Sequence, residues 1–130
     1  MDVLIIGSGG REHALASCIR RSERCNHLYI APGNAGTAGC GENIPLAVND
    51  FKGLADFVKQ HQIDMLVVGP EEPLVKGLAD HFKADEALSD VLFVGPDAAG
   101  ARLEGSKAFA KEFMQRYGIP TAPYAAFSKD

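Results

Sequence analysis

Val3-Leu4-Ile5-Ile6-Gly7-Ser8-Gly9-Gly10-Arg11-Glu12-His13-Ala14 decides how the rest of the chain reads. Four consecutive apolar residues suit a strand covered on both sides, because successive side chains of a strand point to opposite faces. Gly7-Ser8-Gly9-Gly10 stops it. From about residue 11 to residue 21, Ala14, Leu15, Cys18 and Ile19 then share one face of a helix. A strand running through glycines into a helix opens a βαβ unit, and the same pattern recurs along the chain. Residues 27–30, 65–68 and 91–94 read as further strands, with residues 44–48 as a shorter one and residues 121–127 as the start of another. The fully apolar Met65-Leu66-Val67-Val68 is expected to be central and covered on both faces. Between the strands, Asn49-Asp50 caps a helix that turns Phe51, Leu54, Ala55 and Val58 inward. A second, with Pro73 at its first position, carries Leu74, Val75, Leu78, Ala79 and Phe82. A third starts at Ser106, buries Phe109, Ala110, Phe113 and Tyr117, and is stopped by Gly118 and Pro120. The fold class is α/β, an open parallel sheet flanked by helices.

Bulk properties narrow the function classes. With 130 residues, 46% hydrophobic and 23% charged, the chain has room for one globular domain. A formal charge of −4 gives no reason to expect nucleic acid or a membrane surface as partner, so an anion would need a local device to hold it. Cys18, Cys25 and Cys40 form no CxxC pair, and His13, His27, His61 and His81 are scattered singly, which speaks against zinc. Free thiols and a start that enters an apolar strand without a charged leader read as cytoplasmic.

In a parallel sheet the loops leaving the carboxyl ends of the strands gather along one edge, where ligands bind. Here these are residues 7–11, 31–37, 69–73 and 95–97, all rich in glycine or proline. Gly9 and Gly10 would let backbone N–H groups approach a phosphate at a helix start, with Arg11 adding a charge-assisted contact. The dinucleotide fingerprint G-x-G-x-x-G fails at its sixth place, which is Glu12, and Ala31-Pro32-Gly33-Asn34 replaces the acidic residue expected after the second strand. GxxxxGK[ST] is absent too. A phosphate-bearing ligand smaller than a dinucleotide fits better. Glu71 suits sugar hydroxyls or a helix start, and Lys107 alone reads as a solvent-exposed lysine.

Taken together, Gly7-Ser8-Gly9-Gly10-Arg11-Glu12-His13-Ala14, Ala31-Pro32-Gly33-Asn34-Ala35-Gly36-Thr37, Val68-Gly69-Pro70-Glu71-Glu72-Pro73-Leu74-Val75, Leu103-Glu104-Gly105-Ser106-Lys107 and Ile119-Pro120-Thr121-Ala122 resemble the phosphoribosylamine–glycine ligases, or glycinamide ribonucleotide synthetases, of purine biosynthesis. The resemblance implies the ATP-grasp superfamily, whose members begin with a Rossmann-like (pre-ATP-grasp) domain with helices on both faces of the sheet. It implies a reaction of ATP, 5-phosphoribosylamine and glycine through a glycyl phosphate. ATP and Mg2+ (or Mn2+) would serve the full-length enzyme, with no cofactor held tightly by this chain. It further implies that Gly9, Gly10, Arg11 and Glu12 hold the phosphoribosyl substrate, that Glu71 grips ribose hydroxyls, that Asn34, Gly36 and Thr37 wall the cleft, and that Lys107 reaches ATP phosphate. On that reading residues 1–120 form the substrate-binding domain, residues 121–130 begin a connection onward, and the chain alone is catalytically incomplete. The competing expectations are an NAD(P)-binding domain of an oxidoreductase and a non-catalytic nucleotide-sensing module.

Overall fold

The computed structural model describes residues 1–125 and residue 127. Five parallel strands form one sheet in the order β3-β2-β1-β4-β5. They are β1 (Asp2–Gly7), β2 (His27–Pro32), β3 (Glu42–Asn43), β4 (Met65–Val68) and β5 (Leu92–Val94). The helices are α1 (Gly10–Ile19), α2 (Phe51–Gln60), α3 (Glu71–Val75), α4 (Leu78–Lys83), α5 (Ala98–Gly105) and α6 (Lys107–Arg116). The chain winds outward from β1 through β2 to β3, then crosses back over the sheet to β4 and β5. That reversal makes the gap between β1 and β4 the topological switch point.

β1 is central, and its alternating side chains divide the core. Leu4 and Ile6 pack with Leu54 and Val58 of α2, Leu74 of α3, Leu78 and Phe82 of α4 and Ala101 of α5. Val3 and Ile5 pack on the other face with Ala16 of α1, Leu28 and Ile30. Helices therefore lie on both faces, unequally. On the α1 side Met65 and Val67 of β4 are only half-buried, against the expectation that this strand is covered on both faces, and Leu92 and Val94 of β5 are 54% and 44% exposed. A shallow apolar hollow of about 360 Å³, lined in part by Met1, Val3, Ile19, Met65 and Leu92, marks this flank.

Several local expectations change. β3 occupies Glu42–Asn43, two residues of polar sequence upstream of 44–48, so the apolar pattern pointed past it. α1 buries Glu12 and Ala16, while Ala14 and Cys18 face solvent. The helix expected after Pro73 is two, broken at Gly77, whose φ of +90° favours a residue without a side chain. Pro73 is the third residue of α3, after Glu71 and Glu72. α5 is an additional helix, capped by Asp97, whose carboxylate accepts from the Gly100 N–H at 2.9 Å. Ser106 caps α6 as expected, but α6 packs on α5 and buries nothing fully. Its Phe109, Ala110 and Phe113 are half-buried, and Tyr117 is 62% exposed. Residues 121–125 carry no strand, and residue 126 lies outside the described residues.

Candidate functional site

The loop after β1 meets the switch point first. Because α1 starts at Gly10, the N–H groups of Gly10 and Arg11 have no intrahelical carbonyl to meet and point outward at the positive end of the helix. Gly7 has φ of +132°, and a Cβ there would sit 2.5 Å from Glu12 Cγ, so backbone conformation and space both require glycine. Arg11 reaches across the gap, its Nη1 donating to the Gly69 carbonyl after β4 at 2.6 Å. The guanidinium remains exposed, with further N–H groups for an incoming anion.

Asn34 fastens the loop after β2 to the loop after β1. Its Nδ2 donates to the Ser8 carbonyl at 2.8 Å, and its Oδ1 accepts from the Gly36 and Thr37 N–H groups at 2.7 and 3.0 Å. Thr37 is fully buried. Its Oγ1 accepts from the Asn34 N–H at 2.7 Å and bonds Asn43 Oδ1 at 2.7 Å, while Asn43 Nδ2 donates to the Asn34 carbonyl at 2.8 Å. Thr37 thus braces the cleft wall from behind, and its hydroxyl is engaged within the protein. Gly36 lies against His13, for a Cβ there would stand 2.7 Å from the imidazole Cε1. Asn43 gave no signal in the sequence, since its importance comes from pairing with Thr37 across a strand of two residues.

Glu12 is 5% exposed and turned beneath the loop, where Oε2 accepts the Gly9 N–H at 2.7 Å. A Cβ on Gly69 would run into the same carboxylate. Glu71 opens α3 just after Gly69 and faces a hollow of about 270 Å³ with Val75, Glu104 and Gly105 among its walls. Glu72 is engaged elsewhere: its Oε1 accepts from Lys76 Nζ at 2.7 Å and Asn49 Nδ2 at 3.0 Å, and these donors hold its carboxyl below the usual range. Gly9, Gly10, Arg11 and Glu12 thus lie at the switch point, Asn34 and Gly36 join the β1 loop from the β2 side with Thr37 behind them, and Glu71 stands two residues beyond Gly69. Lys107 stands apart at the start of α6, with no hydrogen bond or ion pair among the described residues. No three His, Cys, Asp or Glu among the described residues come together to hold a metal ion.

A doubly wound α/β domain of this kind belongs to the fold class whose ligand crevice lies at the carboxyl edge of the sheet, beside the switch point. Residues 1–104 match the family model described as phosphoribosylglycinamide synthetase, N domain, and the chain belongs to that family. It is 48% identical over 131 residues to a phosphoribosylamine–glycine ligase of Allochromatium vinosum, an alignment covering 99% of this chain and 30% of the relative. A crystal structure of phosphoribosylamine–glycine ligase from Thermotoga maritima superposes with a TM-score of 0.65 at 32% identity, over 95% of this chain and 26% of that one. The biotin carboxylase domain of a single-chain bacterial carboxylase matches with the same TM-score at 18% identity, over 98% of this chain and 31% of that one, a likeness of fold alone. The chain therefore spans about 30% of the length of the curated relatives it matches.

Proposed function

We propose that this chain is the part of a phosphoribosylamine–glycine ligase that holds the phosphoribosyl end of 5-phosphoribosylamine while the rest of such an enzyme uses ATP to join it to glycine. The observation that carries this reading is the meeting of the Asn34-braced loop after β2 with the α1 start, from which Arg11 reaches the loop after β4, in a chain matched along 99% of its length by such ligases. Gly10 and Arg11 would donate to the phosphate, and Glu71 would meet ribose hydroxyls from the loop after β4. Lys107 is the one residue offered to ATP phosphate. Magnesium would serve the ATP phosphates in a full-length ligase, and among the described residues no acidic cluster forms a ligand set for it. The chain by itself should bind without turning over. An oxidoreductase domain is disfavoured by Glu12, buried where a dinucleotide fingerprint has glycine.

Calorimetry with ribose 5-phosphate tests this. A charge-assisted contact contributes about 1.5–3 kcal/mol and the helix start about 0.3–1 kcal/mol, which together approach the roughly 4 kcal/mol of a millimolar constant, so binding by this chain should be of millimolar order or weaker. Arg11→Ala should weaken it tenfold or more. NADH binding more tightly than the sugar phosphate, or an undiminished response in Arg11→Ala, would overturn the assignment.

A further inference from the structure

We propose that Glu12 restricts this site to ligands bearing a single phosphate group and turns away diphosphate-bridged ones; the inference rests on the phosphate-site reading above and deepens it. In the dinucleotide fingerprint the position of Glu12 is a glycine that lets helix and strand pack closely. Here the arrangement is inverted. The helix carries a full-sized acid, and the neighbouring strand ends supply the room, since a Cβ on Gly7 or Gly69 would collide with it.

Two consequences follow for an anion on the loop. Glu12 Oε2 occupies the Gly9 N–H at 2.7 Å, so that donor is withdrawn from the ligand and only the next amides of the helix start are offered. The carboxylate is also buried without an ion pair among the described residues, because the neighbouring Arg11 donates to the Gly69 carbonyl instead. A helix start contributes about half a positive charge, so with Arg11 at plus one and Glu12 at minus one the local balance is about plus one half. That balance favours one phosphate and leaves little for a second. A glutamine at the same place would keep an acceptor for the Gly9 N–H, fill the same space and lift the balance to about plus one and a half.

The experiment titrates the chain and Glu12→Gln with inorganic phosphate and with inorganic pyrophosphate, following the amide resonances of Gly9, Gly10 and Arg11. Wild type should bind pyrophosphate no more tightly than phosphate despite its greater charge. Glu12→Gln should favour pyrophosphate tenfold or more relative to that ratio, with its amide spectrum still that of the folded chain. A wild-type chain preferring pyrophosphate by tenfold would overturn the role of Glu12 whatever the variant does. An unchanged ratio in a folded variant would overturn it as well. Loop amides that respond to neither anion would sink the phosphate site itself and the role of Glu12 with it.

Discussion

Asn34 shows how much one amide can hold. Its side chain is short enough to remain in one rotamer and carries donors and an acceptor, so it joins the Ser8 carbonyl to the Gly36 and Thr37 N–H groups. Truncation to alanine strands those partners in a half-buried setting, at a cost of about 1–3 kcal/mol. Asn34→Ala should lower the urea midpoint accordingly and move the Gly9 amide resonance. Asn34→Asp should be no better, since it keeps the acceptor but sets a carboxylate against the Ser8 carbonyl. Asn34 entered as a cleft residue through the resemblance of Ala31-Pro32-Gly33-Asn34-Ala35-Gly36-Thr37 to the ligase family, not through any pattern of its own. The sequence could not mark Thr37 as buried, because that depends on Asn43, nine residues further along than Asn34. Glu12 was likewise visible as a departure from a glycine pattern, whereas its inward orientation follows from Gly69, which is distant in sequence and adjacent in space.

Among the elements, those legible beforehand carry their own periodicity. β1 carries the apolar run Val3-Leu4-Ile5-Ile6, β4 is apolar throughout, and α2 repeats apolar residues at helical spacing, burying Leu54, Ala55 and Val58. α5 hid because Gly100 and Gly105 weaken helix propensity. Packing compensates: Ala101 is buried, and Gly105 lets the helix end lie against Val75 of α3. β3 hid for the opposite reason, being held by pairing Tyr29 with Glu42 and Ile30 with Asn43 rather than by any preference of its own. Two substitutions weigh these contributions. Leu66→Ala, in the fully buried middle of β4, should cost about 2–5 kcal/mol in chemical denaturation. Ser106→Ala removes the acceptor for the Phe109 N–H at 3.3 Å and should cost about 1 kcal/mol, read as a small shift of the same transition.

For the whole molecule, exposed carboxylates set the response to acid. Lys59 holds the Asp85 carboxyl below its ordinary 3.8, the Gly100 N–H and then Lys83 do so for Asp97, and Lys52 does so for Asp56. A carboxyl lowered in the folded state contributes stability above its unfolded value and loses it as pH falls through the folded one. The urea midpoint should therefore stay level near neutrality and decline below about pH 4, less steeply in molar salt, where exposed pairs are screened. Architecture was the most legible property at this scale, since alternating strand and helix patterns leave few topologies. The uneven dressing of the sheet was not, because it depends on which face each crossover takes. That unevenness affects handling in solution. Leu92 and Val94 offer neighbouring molecules a greasy landing strip, so dye fluorescence from anilinonaphthalene sulfonate should be high even in the native state, and light scattering should climb with protein concentration. Leu92→Asp should quench both while leaving the amides of β1 undisturbed.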